Sequence, residues 1–386
     1  MFGSTALLAA VLAGLALSSI YFIIILQFQN GTMRILDIYT THNPAILPPG
    51  PAGESIALRH IYTNIWPLDA LINRLTPFFW TLVTGVLPEL SLFGVYMAGQ
   101  LVASETLLLL EGARRGNKGR VVSYSTLWGL AWQNLPWGFV QPVYNLVHVL
   151  GARYSEDPTP MTITGTTDAI GSIPGAVVVG YILPSVIMCI PSPQYLSHDT
   201  HQALVFAWQL FPLWIWAAHT FITQLTPRST WSNPIKALRN TYTFALLVAC
   251  LSHLSIVALV LALIYGPADV QKHLRDTLPP SFLPSNPALV FTLFKPFGKA
   301  QVSELAVGVL SLLQYDTVFA GFSALLWATH LLCSRRKNND VLNVVLGGGI
   351  LILLFGPCGA ALATVWKRDE EVFAEAARAR KGKKDY

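Results

Sequence analysis

Three acids stand inside long apolar runs of this sequence, and chemistry is expected there first. Asp316 lies in Gln314-Tyr315-Asp316-Thr317, and Ser323, Trp327 and His330 follow it at helical spacing. One helix face therefore carries an acid, a hydroxyl, an indole and an imidazole, and it is expected to face the interior of a bundle. Glu89 follows Pro88 and shares its stripe with Phe93, Tyr96 and Gln100. Glu105 comes sixteen residues after Glu89. That is a rotation of about 160° beyond whole turns, so the two do not share a face. Lipid cannot solvate an ionisable side chain, which makes each of these a functional candidate. Glu89 outweighs Glu105, because Glu105 sits nearer a helix end where it can snorkel.

Two uncharged stripes add to this. Asn134, Trp137, Gln141, Asn145 and His148 recur at steps of three and four, with Pro136 and Pro142 beside them. Gln202, Phe206, Gln209, Trp216, Thr220 and Thr223 form a second stripe, with Pro212 inside it. Carbonyls freed by proline need a partner or a water-lined cavity, so two such stripes predict a cavity. Trp137 and Trp208 lie deep in their segments, where a ring face can attract a cation. The plainer role for every one of these groups is a hydrogen bond between packed helices. Buried acids also suit a transporter, a non-catalytic membrane scaffold that organises partner enzymes would need no chemistry from them, and His330 or His148 would suit acyl transfer in the membrane.

The elements that must position these residues are apolar helices. The chain has 386 residues, of which 53% are hydrophobic and only 12% charged. Mean hydropathy is +0.50. Soluble domains carry about 25% charge, so disorder, coiled coils, disulfide scaffolds and ordinary cytosolic enzymes are excluded. The fold class expected is all-α, a polytopic transmembrane bundle of about eight spans, each needing about 20 residues. The spans are read at 5–28, 82–110, 125–149, 170–190, 202–225, 241–265, 304–333 and 342–366. This makes 1–366 a single transmembrane domain and 367–386 a basic cytosolic tail. No repeat and no strand alternation is visible. The first run continues past any small-residue cleavage site and reads as a retained span. All four cysteines read as small buried residues.

Loop charge sets the orientation. With the N-terminus cytosolic, loops 111–124, 191–201, 266–303 and the tail hold fifteen Lys and Arg, against ten in 29–81, 150–169, 226–240 and 334–341. The net charge of +5 is expected to face an anionic leaflet, with no nucleic acid as partner. Lys383 and Lys384 form a dilysine ending. Such endings resemble cytosolic retrieval signals of the endoplasmic reticulum. The proline-rich loops 29–81 and 266–303 read as connectors or lids.

No paired aspartates suit a metal-bound diphosphate, and no nucleophile-elbow, zinc-protease, P-loop or dinucleotide pattern is present. His198, Asp199 and His201 lack a nearby fourth ligand, so no metal and no cofactor is expected. Three runs carry a resemblance: Leu135-Pro136-Trp137-Gly138-Phe139-Val140-Gln141-Pro142, Gly180-Tyr181-Ile182-Leu183-Pro184 and Trp208-Gln209-Leu210-Phe211-Pro212. Over roughly residues 80–225 the chain resembles fungal integral-membrane terpene cyclases of meroterpenoid and indole-diterpene pathways. The resemblance implies cyclisation of a prenyl chain, begun by protonating an olefin or epoxide. It implies as partners the bilayer, a hydrophobic prenylated small molecule and other membrane-bound enzymes of the pathway. No catalytic residue is carried over from it.

Protonation needs a neutral carboxylic acid, and the carbocation then needs π-faces and exclusion of water. Asp316 and Glu89 are accordingly expected to form the acid and base pair, in either order, with Glu105 in reserve. Trp137, Trp208 and Tyr315 are expected to line the cation cavity. Gln141, Gln209 and Asn134 are expected to orient the head group, and His330 to contact substrate.

Overall fold

The structure, a computed structural model, describes residues 5–41, 45–50, 53–151, 158–225, 233–296, 301–334 and 341–382. The dilysine ending lies outside the described residues. Helices dominate, and among the described residues the only strand-like pairing is an isolated bridge between Ile46 and Ala57. The main helices in chain order are α1 (Thr5–Gln29), α2 (Thr32–Thr41), α3 (Trp66–Val83), α4 (Pro88–Ala113), α5 (Ser125–Asn134), α6 (Trp137–Gly151), α7 (Thr167–Met188), α8 (His198–Gln209), α9 (Phe211–Leu225), α10 (Pro234–Tyr265), α11 (Ala268–Thr277), α12 (Leu305–Cys333) and α13 (Val341–Gly382).

Six of these are long and apolar enough to cross a membrane: α1, α4, α7, α10, α12 and the part of α13 from Leu346. The α8–α9 pair makes a seventh if its 67° bend is counted within one span. The segment 125–149, expected as one span, is instead two short helices, α5 and α6. Leu135 precedes a proline and is extended (φ −127°, ψ 152°), which ends α5. The chain then reverses. Trp128 packs edge-on against Tyr144 at 5.2 Å, and Trp132 lies 6.1 Å from Trp137. A Cβ on Gly112 would touch Ser125 at the start of α5, while His148 near the end of α6 bonds Glu111, also at that end of α4. So α5 and α6 form a helical hairpin with its tip at Leu135-Pro136.

Because the hairpin returns to the end of the bundle it starts from, it changes which loops share an end. Connectors 29–81 and 191–201 were expected on opposite sides. They touch: Arg59 pairs with Asp199 at 2.8 Å, and Gln202 bonds the backbone of Ala57 and Arg59. Among the described residues, Arg114, Arg115, Lys118, Arg120, Lys236, Arg239, Lys367, Arg368, Arg378 and Arg380 now lie at one end of the bundle. Arg34, Arg59, Arg74, Lys272, Arg275 and Lys295 lie at the other. Relative to the sequence map, Lys236 and Arg239 join the end that carries Arg114, while Lys272, Arg275 and Lys295 leave it, so of the residues named ten lie at that end and six at the other.

The tail boundary at Lys367 falls inside α13, whose Arg368 and Asp369 are buried. Upstream, α13 kinks at Gly356–Pro357. The Gln100 side chain of α4 bridges that break, donating to the Phe355 carbonyl at 2.9 Å and accepting from the Cys358 amide at 3.0 Å. Cys333 and Cys358 are buried as expected, but Cys189 is exposed.

Helices α7 and α9 touch backbone to backbone at Gly180, where a Cβ would lie 2.3 Å from the Ile215 nitrogen. Gly180→Ala is expected to cost about 1–3 kcal/mol by overpacking. Thermal unfolding in detergent checks this, and an unchanged midpoint would contradict the close approach.

Candidate active site

The hairpin tip inserts into a cavity of about 1280 Å³ whose wall is mostly apolar. Asp316, Trp132, Asn134, Leu135, Pro136, Trp137, Phe78, Phe79, Tyr181 and Trp208 are on that wall. The aromatic rings pack on one another: Phe79 lies 5.1 Å from Trp208, and Trp208 lies 5.5 Å from Phe211. Trp208 is held by donating its indole N–H to Ser185 Oγ at 2.8 Å. All three segments that carry the resemblance reach this cavity, through Leu135 to Trp137, Tyr181 to Ile182, and Trp208.

Asp316 is brought there by α12 and met by the N-terminus of α6. Its Oδ1 accepts from the Gly138 amide at 2.7 Å, and the Trp137 amide also faces it. Helix N-termini leave such amides without an intrahelical partner, so a carboxyl from a neighbouring helix caps α6. The approach is close because residue 138 is glycine: a Cβ would lie 2.6 Å from the Asp316 carbonyl and 2.8 Å from Ile23 Cδ1. Among the described residues no cation pairs with Asp316.

Behind Trp137, the polar stripe of α6 is a buried hydrogen-bond ladder. Trp137 Nε1 donates to Gln141 Oε1 (3.2 Å), Gln141 Nε2 to Asn145 Oδ1 (3.1 Å), and Asn145 Nδ2 to Ser323 Oγ (3.3 Å). Below it, Trp327 Nε1 donates to His148 Nδ1 at 3.1 Å, and His148 Nε2 meets Glu111 Oε2 at 3.0 Å. A carboxylate only accepts, so the Nε2 position carries the hydrogen. Glu111 also pairs with Arg114 at 2.8 Å, and Arg114 with Asp369 at 2.9 Å. Asp369 in turn holds Arg368 at 2.7 Å and accepts from the Tyr242 hydroxyl at 2.7 Å.

The CtvD domain family matches residues 8–373. This chain belongs to the CtvD-domain family. Its curated relatives include terpene cyclase ascI of Acremonium egyptiacum, 30% identical over 80% of this chain and 79% of that protein. Terpene cyclase penA of Penicillium crustosum is 28% identical over 92% and 93%. Terpene cyclase ctvD of Aspergillus terreus is 27% identical over 78% and 84%. The chain is thus a terpene cyclase of a fungal secondary-metabolite type. No solved structure matches it.

Within this CtvD-domain chain, the cavity gathers Asp316, Trp137, Trp208 and Asn134 from the residues expected at the site. The others lie elsewhere. Glu89 Oε1 accepts from Ser285 Oγ (3.1 Å) and the Asn286 amide (2.7 Å), which ties down the loop before α12. Tyr315 serves the same loop, donating to the Phe294 carbonyl while its ring packs on Phe22. Glu105 is buried outside the wall, with Oε2 lacking a hydrogen-bond partner. Gln141 belongs to the ladder. Gln209 is buried, and both its amide atoms lack partners. His330 contacts Ser334 at the far end of α12.

Sequence reasoning left out Trp132, Ser192 and the cluster around Glu111, and weighed His201 only as a metal ligand. Glu111 and Arg114 read as loop, and Arg368 and Asp369 as tail. Only their separation by turns of continuous helix would have signalled otherwise. Because Gln at 89 can still accept both loop bonds, Glu89→Gln is expected to keep cyclisation within a few-fold of wild type. Turnover in microsomes checks it, and a loss as large as that of an Asp316 variant would restore Glu89 to the reacting pair.

Proposed function

We propose that this cyclase protonates the olefin or epoxide of a prenyl chain with Asp316 and folds the resulting carbocation within the aromatic cavity. The observation that carries this is an unpaired carboxyl on an apolar, ring-lined wall. Trp132, Trp137, Phe79 and Trp208 offer π-faces to migrating positive charge. The apolar lining keeps water from trapping it. Asn134 is the one expected head-group residue that reaches the wall.

Exposed apolar residues Ile24, Phe28, Leu135 and Val186 belong to the same wall, which supports lateral access from a bilayer. We place the chain as an integral membrane protein, with the basic end and the C-terminus cytosolic. The test is expression of the full chain in microsomes with a farnesylated phenol and its terminal epoxide. Cyclised product supports the reading. Uptake into proteoliposomes with no product would overturn it in favour of transport.

A further inference from the structure

Another stretch of the cavity wall carries a set of hydrogen-bonded groups with no assigned role. Ser192 comes from the connector after α7 and His201 from the first turn of α8, and both line the cavity that Asp316 lines. Ser192 Oγ lies 2.8 Å from His201 Nδ1 and 3.1 Å from His198 Nδ1. His201 Nε2 lies 2.8 Å from the Met188 carbonyl. A carbonyl only accepts, so Nε2 carries the hydrogen and Nδ1 the lone pair. Ser192 therefore donates its hydroxyl hydrogen to His201 Nδ1, and its oxygen receives the Nδ1 hydrogen of His198. Trp80 packs against both imidazoles, at 4.8 Å from His201 and 5.9 Å from His198, which holds the rings in place. His201 is 1% exposed, whereas His198 is only partly buried.

A cyclisation begun by protonation must return a proton, and its last cation forms at a different carbon from the first. The acceptor is thus expected away from the donor along the same cavity. Glu89 and Glu105 are off the wall, and Glu54, which is on it, is folded against Gly50. We propose that Ser192, backed by His201, accepts the proton that ends the reaction, with His198 linking the hydroxyl to the surface. A C–H bond beside the final cationic carbon breaks, and its electron pair becomes the new C=C bond. The proton passes to Ser192 Oγ as the hydroxyl's own hydrogen moves to His201 Nδ1. Positive charge leaves carbon and appears on the imidazole, where the Nε2–H bond to Met188 stabilises it.

This assignment rests on the reading of Asp316 as the acid. The test compares wild type, Ser192→Ala, Ser192→Thr and Asp316→Asn in the full chain. Each is given the farnesylated phenol and its epoxide, and substrate loss and product pattern are followed separately. Ser192→Ala is expected to yield less of the native product per substrate consumed, because the last cation loses its proton acceptor. Its product pattern should shift to isomeric alkenes and water-trapped alcohols, and Ser192→Thr should restore the original pattern. An unchanged pattern in Ser192→Ala overturns the proposal, whatever the rate. An Asp316→Asn variant that turns over at the wild-type rate, beside a shifted pattern in Ser192→Ala, would overturn the acid and leave the acceptor standing.

Discussion

Asp316→Asn is expected to lower cyclisation by about 10²- to 10⁴-fold, the usual contribution of a positioned general acid. The amide is nearly isosteric, and its oxygen can still accept from the Gly138 amide that Asp316 Oδ1 now binds at 2.7 Å. Asparagine is as good a cap as aspartate, so α6 keeps its N-terminal partner. What the variant lacks is a transferable proton. Asp316→Ala loses both roles, and should add about 1 kcal/mol of destabilisation from the missing cap. Turnover and thermal stability measured on the same preparations separate the two. If Asp316→Asn retains full turnover, the carboxyl is a cap alone and the acid lies elsewhere.

The largest effect on stability is expected at Glu111. Its carboxylate is fully buried between Arg114 and His148, with Arg368 at 3.9 Å. Glu111→Gln removes one of the carboxylates that, with Asp369, face the guanidinium groups of Arg114 and Arg368. Breaking a buried pair by removing one partner costs about 3–5 kcal/mol, because an uncompensated charge stays in a poor solvent for it. The variant should therefore unfold at a markedly lower temperature in detergent, or fail to accumulate. Glu111→Gln combined with Arg368→Gln restores the balance of charge, and should recover part of the loss as a positive coupling between the two sites. Equal stability of wild type and Glu111→Gln would show that the cluster is solvated. The hairpin also depends on this cluster, since His148 ties α6 to both Glu111 and Trp327.

Much of the architecture was legible from residue types. Apolar runs with few charges became helices, and the stripe Asp316, Ser323, Trp327 and His330 is buried as its spacing required. Trp137, Trp208 and Asp316, which line the cavity, were picked out by asking which polar or aromatic groups sit where lipid would surround them. The same question misplaced Glu89. Burial alone does not distinguish an acid that fastens a loop from one that faces a cavity, and only the position of Ser285 and Asn286 decides.

The amino-acid sequence by itself determined helix content, apolar length and the face on which each polar residue lies, because these follow from local periodicity. Tertiary structure decided three things. It turned Leu135-Pro136 into the tip of a hairpin: an X-Pro pair marks a break, but whether the chain continues or reverses depends on packing such as Trp128 on Tyr144. That reversal decided which connectors share an end. It also joined Glu111 and Arg114 to Arg368 and Asp369, charges that read as loop and tail because each stands at the end of an apolar run. Ion pairs between residues so far apart in the chain have no local signature, and only the folded bundle brings them within reach of one another.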